Sequence, residues 1–210
     1  MKGLPGRATR DWDAVAAALS DRYRVLALDQ RGHGESARPD AYSFELMRDD
    51  LARFADALGL GRFSLLGHSA GGAVAYLFAE EWPERVERLV IEDAPPYGSD
   101  LPEAPAEPTE PVLFDWRIIA PITRQLNAPD PAWWGRLRDI AAPTLIVGGG
   151  ATSDIPQDKL AEAARLIPDC RLVTIEGAGH FVHENKPDAF LEIVRGFLIG
   201  DDQEQEADSN

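Results

Sequence analysis

The sequence predicts an α/β fold, an open and mostly parallel sheet flanked by helices, and three observations carry that expectation. Short apolar runs alternate with amphipathic helical patterns along most of the chain. The runs are four to seven residues long and end in, or are followed at once by, Gly, Asp or Glu, as parallel strands covered on both faces do. One 50-residue stretch interrupts the alternation and has a different composition.

The expected strands are Tyr23–Asp29, Phe63–Gly67, Leu89–Asp93, Thr144–Gly148 and Leu172–Ile175. Between them, Phe44, Met47, Leu51, Phe54 and Leu58 form one apolar stripe at helical spacing, closed by Gly59 and Gly61. Ala70–Trp82 opens on small and apolar residues, as suits a helix packed deep against a sheet. Lys159–Ile167 is a third helix, and Pro187 opens the last, with Phe190, Val194 and Phe197 on one face.

The interrupting stretch, residues 94–142, is expected to be a cap or lid inserted into a core of residues 1–93 and 143–200. Ala94–Pro143 holds ten of the 16 prolines and, in Trp116, Trp133 and Trp134, three of the five tryptophans. It is too long for a plain connection. Asp100–Glu110 alone suits a disordered acidic loop, whereas the tryptophans and Ile118-Ile119 argue for packing. The tail 201–210, with five acids and no base, is expected to be disordered.

Composition narrows the function. A net charge of −15 disfavours phosphate backbones and anionic lipid, so neither nucleic acid nor membrane is an expected partner. No apolar run approaches the roughly 20 residues that span a bilayer, and the first twenty residues show no signal-peptide core. Cys170 is alone, which leaves no internal disulfide and no cysteine-based zinc cage. A soluble, cytoplasmic protein with a small-molecule substrate is the expectation. Gly148-Gly-Gly-Ala-Thr-Ser153 lacks the lysine of a P-loop, and no G-x-G-x-x-G follows the first strand, so no cofactor is called for. His180-x-x-His183 has no third ligand, so no metal is expected either.

The strongest motif is Gly67-His68-Ser69-Ala70-Gly71, a G-x-S-x-G with a strand before it and a small-residue helix after it. So tight a turn strains the serine and excludes side chains at the flanking glycines. It lifts Ser69 Oγ clear of the sheet at the positive end of a helix and frees the Ala70 amide to donate to an oxyanion. A helix-start serine in a glycine-rich turn is the plain alternative.

Here the chain resembles the α/β-hydrolase family, in its serine-nucleophile branch. Leu4-Pro-Gly followed by Trp12 is similar to the family's segment after its oxyanion strand, and Asp29-Gln-Arg-Gly-His-Gly-Glu-Ser36 to the loop after strand four. Gly67–Gly71 is similar to the elbow, and Gly177-Ala-Gly-His180 to the loop that presents the catalytic histidine. The resemblance implies Ser69 as nucleophile, His180 as base and the amides of Ala70 and Leu4 as oxyanion donors. A serine rather than an aspartate at the elbow disfavours the haloalkane dehalogenase and epoxide hydrolase branches. His183 is expected to hydrogen-bond near the last helix, His33 to be structural, and His68 to pack.

The acid departs from the family pattern, because Thr152 stands where many relatives have Asp. Asp93, at the end of an apolar strand, is the expected acid, with Asp154 and Glu92 as alternatives. Trp116, Trp133 and Trp134 are expected to wall an apolar substrate pocket, docking of the cap being the alternative. The resemblance also implies an internal strand ahead of Gly3, between Tyr23–Asp29 and Phe63–Gly67, with Lys2 where the family has His. Either the sequence is a late-start version of a longer chain, or the sheet closes up directly. The implied function is a serine hydrolase of carboxylic esters. A C–C hydrolase, thioesterase or lyase on the same scaffold is the alternative, as is a non-catalytic remnant or binding module.

Overall fold

A computed structural model describes residues 12–95, 106–110 and 112–200. Leu4, the acidic tail 201–210 and most of Asp100–Glu110 lie outside the described residues. Helix α1 (Asp13–Leu19) leads to α2 (Phe44–Ala57), whose first turn is capped by Ser43 accepting the Leu46 N–H at 3.2 Å. Strand β1 (Phe63–His68) then runs into α3 (Ala70–Glu81), followed by β2 (Val86–Glu92). Two helices of the interrupting stretch, α4 (Ile119–Asn127) and α5 (Pro131–Arg136), precede β3 (Thr144–Gly148). The chain continues through α6 (Gln157–Leu166), β4 (Cys170–Thr174), a single turn α7 (Val182–Asn185) and α8 (Pro187–Ile199).

The four strands form one parallel sheet in the order β1-β2-β3-β4. Alternation along each strand splits the core between two faces. Leu89, Ile91 and Ile146 meet Ala75, Phe78, Leu160 and Ala163 of α3 and α6. Val90, Leu145 and Val147 meet Val15 and Leu19 of α1 and Phe190, Val194 and Leu198 of α8. Helix α3 is buried from Ala70 to Glu80, which is why its first turns must be small. Gly72 illustrates the limit, since a Cβ there would stand 2.6 Å from that of Ala94.

Tyr23–Asp29, expected as a strand, is not one. Among the described residues the backbone of Arg24–Leu28 makes no hydrogen bond to other backbone, and Val25 and Leu26 are exposed. An apolar groove of about 340 Å³ separates this segment from β1, between Val15 and Leu19 of α1 on one side and Leu51 and Phe54 of α2 on the other. Both segments line that groove, and among the described residues no ladder joins them. The sheet therefore does not close up directly. Amides of Arg24–Leu28 should exchange with solvent deuterium orders of magnitude faster than those of Leu89–Ile91. Equal protection in an exchange experiment would mean that the segment is paired.

Residues 106–110 of the interrupting stretch are exposed, and from Phe114 onward it packs on the core. Phe114, Ile118, Ile122 and Trp133 are buried with Phe44, Met47, Val74 and Leu77. Polar ties fasten it as well: the Tyr42 hydroxyl donates to Asp115 at 2.7 Å, and the Phe44 N–H to Gln125 Oε1 at 2.9 Å. The Arg117 guanidinium beside Asp115 holds that carboxyl down at about 2.

Candidate active site

The site forms at the carboxyl ends of β1, β2 and β4, where the strands of a parallel sheet release their loops along one edge. Ser69 joins β1 to α3 with φ 52° and ψ −125°, a strained conformation for a residue with a Cβ. Three contacts hold it there. Its N–H donates to the Glu92 carbonyl at 3.1 Å, and its carbonyl accepts from Gly72 and Ala73 at 2.8 and 3.1 Å. A Cβ on Gly67 would lie 2.4 Å from the Gly71 carbonyl oxygen, so this turn tolerates only glycine at that position. The Ala70 N–H makes no hydrogen bond to another described residue and stands at the positive end of a twelve-residue helix.

Ser69 Oγ lies 3.0 Å from His180 Nε2, and His180 Nδ1 lies 2.9 Å from Asp93 Oδ2. A carboxylate only accepts, so the imidazole proton sits on Nδ1 and leaves Nε2 to accept from the serine hydroxyl. Asp93 is fully buried, with φ 44°, a left-handed conformation that Asp adopts more readily than most residues. Its Oδ1 accepts from the Gly149 N–H at 2.9 Å and from Gln157 Nε2 at 3.0 Å, and its Oδ2 also accepts from the Ser153 hydroxyl. Among the described residues, every donor aimed at this carboxylate other than His180 comes from the segment after β3. The parallel register pairs Glu92 with Val147, which sets Asp93 beside that segment.

The other candidates fall elsewhere. Asp154 is exposed, and Thr152 is exposed as well. The loop that offered Asp154 as a competing acid instead supplies Gly149 and Ser153 to Asp93. Ser153 and Gln157 carry no catalytic motif, and only the pairing of β2 with β3 brings them to the site. Glu92 turns to His183 rather than His180, accepting its backbone N–H at 2.9 Å and its ring Nδ1 at 2.7 Å. The two histidines of the H-x-x-H spacing therefore address different carboxylates and do not converge as ligands. His183 is buried at the start of α7, stacked on Trp12 with ring centroids 4.4 Å apart. His68 packs against the His180 ring at 4.6 Å, with its Nε2 2.8 Å from the His180 carbonyl. His33 is buried, its Nδ1 3.1 Å from the Arg31 carbonyl, and burial lowers its pKa.

The tryptophans separate. Trp133 is buried edge-on to Phe44, 6.2 Å between centroids, in the cluster that includes Ala70. Trp134 packs on the opposite part of the core under the Lys159 ammonium. Both dock the stretch onto the core. Trp116 is half-buried, 5.7 Å from the Phe114 ring, and Phe114 in turn pairs with His33 across one antiparallel bridge.

Residues 3–193 match the model of a family described as the alpha/beta hydrolase family. The chain is 28% identical to a mouse sn-1-specific diacylglycerol lipase, across 94% of this chain and 79% of the relative. It is 30% identical to 2-(acetamidomethylene)succinate hydrolase of Mesorhizobium japonicum, across 89% of this chain and 82% of the relative. The structure of a thermophilic esterase from Thermogutta terrifontis superposes with a TM-score of 0.80 at 27% identity, covering 94% of this chain and 87% of that one.

Proposed function

Because the chain belongs to the alpha/beta hydrolase family, and is a hydrolase-type enzyme, we propose that it cleaves carboxylic esters through an acyl-enzyme on Ser69. The observation that carries this reading is the unbroken relay from Ser69 Oγ to His180 at 3.0 Å and from His180 to Asp93 at 2.9 Å. Ser69 attacks the acyl carbon while His180 Nε2 takes its proton, and Asp93 keeps the other imidazole proton on Nδ1. His180 then returns the proton to the departing alcohol, and a water molecule repeats the sequence to release the acid. The Ala70 amide stabilises the tetrahedral oxyanion, and the family resemblance implies Leu4, outside the described residues, as the source of a second donor.

The stretch 94–142 acts as the cap. Trp116, half-buried 5.7 Å from the Phe114 ring, is the tryptophan it offers to a small or medium, largely apolar substrate. The relatives support ester chemistry, since one is named for lipase activity and another for esterase activity. Among the described residues no helix is long and apolar enough to cross a membrane.

A fluorophosphonate probe tests the nucleophile directly, because it forms a stable bond only to an activated serine. The folded chain should take one label, and the Ser69→Ala chain none. A folded chain that stays unlabelled, or equal labelling of both, would remove covalent catalysis at Ser69.

A further inference from the structure

We propose that Glu92 and His183 form a second anchor for the loop that carries His180, which makes both of them positioning residues for the reaction. This inference rests on the hydrolytic reading of Ser69, His180 and Asp93. Glu92 and Asp93 are consecutive at the end of β2, and both are fully buried. They grip one short segment at two points three residues apart. Asp93 holds the ring of His180, while Glu92 holds both the backbone and the ring of His183.

Two other contacts reach the loop up to His180: the Gly179 N–H donates to the Gly149 carbonyl at 2.9 Å, and His68 Nε2 lies 2.8 Å from the His180 carbonyl. The segment enters through Gly177 and Gly179, at φ 70° and 67°, a left-handed backbone that glycine adopts without strain, and both contacts lie at or before His180. The Asn185 amide donates to the Ala178 carbonyl at 2.8 Å, which closes the loop on itself but does not tie it to the sheet. The Glu92 contact adds a tie to the sheet on the far side of His180, three residues further along. It refers the loop to the same strand end that bears Asp93, so histidine and acid move as one body. Trp12 stacked on the His183 ring, and Phe190 at 6.0 Å, leave that ring little room to turn. A buried carboxylate is a costly way to fill space, and an aliphatic side chain would fill it more cheaply. What the carboxylate adds is direction.

The test uses the full chain with p-nitrophenyl butyrate as substrate, and proton NMR of the His180 Nδ1–H bonded to Asp93. Glu92→Leu should lower kcat by about 100-fold with KM within about twofold, the size of effect that small misplacements of a reacting group produce. The His180 Nδ1–H resonance should weaken or disappear. Glu92→Gln should recover kcat to within about threefold of the parent, since its oxygen still accepts from the His183 N–H and its amide can donate to Nδ1. Should Glu92→Leu fail to fold, His183→Phe carries the test: it keeps the stack on Trp12, loses the ring bond, and should cost about tenfold in kcat. A folded Glu92→Leu or His183→Phe chain with parental kcat and an unchanged resonance would overturn the proposal. So would a Glu92→Gln chain as impaired as Glu92→Leu. If the parent shows no Ser69-dependent turnover, the hydrolytic reading fails by itself. The resonance, present in the parent and lost or kept in Glu92→Leu, then decides the anchor alone.

Discussion

Asp93→Asn should lower kcat by about 10⁴, or roughly 5.5 kcal/mol of transition-state stabilisation, while Asp154→Asn leaves it within about twofold. The reason lies in the four donors around the carboxylate. Oδ1 accepts from the Gly149 N–H and from Gln157, neither of which can become an acceptor at that contact without turning away. An asparagine at this position must therefore keep its oxygen there and turn its amide toward Ser153 and His180. The Ser153 hydroxyl can rotate to accept, though it already accepts the Ile155 N–H at 3.0 Å. His180 can meet an N–H donor only by losing the proton on Nδ1 and carrying it on Nε2. That tautomer points a proton at Ser69, so the base is gone while the geometry stays nearly intact. Asp154 is exposed and has no part in this arrangement, so its substitution changes only surface charge. Kinetics of the two variants with one ester substrate measure the ranking. A large loss in Asp154→Asn, or a small one in Asp93→Asn, would overturn the assignment of the acid without touching Ser69 or His180.

The largest expected gain in stability comes from Glu80. It lies in the buried body of α3, and neither carboxylate oxygen has a hydrogen-bond partner among the described residues. Burial pushes its pKa from 4.5 up to about 8, against the favourable charge of Arg136. The sign follows from proton counting. Between pH 4.5 and 8 the unfolded chain has released this proton and the folded chain still holds it, so rising pH draws the equilibrium toward the unfolded state. Below that window both states are protonated and the contribution vanishes. Above it the penalty has reached its full size. Glu80→Met, close in volume and free of the unpaired polar atoms, should raise stability by on the order of 3 kcal/mol at pH 8 and by much less at pH 5. Denaturant titrations of both chains at the two pH values measure the difference. An equal gain at both would show that Glu80 does not titrate in this window.

The sequence determined most of the architecture, because the signals were local. A strand buried on both faces must be short and apolar, and a helix such as α3 that lies in the core must begin with small residues. Gly67 and Ser69 were legible because a strand that turns at once into a helix permits only one backbone path there. The same locality explains what could not be read. Tyr23–Asp29 has the composition of a strand, but a ladder is a property of two segments, and here the groove beside β1 takes the place of the partner. The helices α1, α4 and α5 are only 7, 9 and 6 residues long, too short for an apolar stripe to repeat over several turns, so packing stabilises them. The choice among Asp93, Glu92 and Asp154 was likewise tertiary. All three leave one edge of the sheet, and their order in the chain does not say which histidine each will face. Only the pairing of β2 with β3 brought Gly149, Ser153 and Gln157 to Asp93, and only the packing of α1 and α7 turned Glu92 to His183. A carboxylate's partners are donors fixed by distant parts of the chain, and no spacing in the sequence records them.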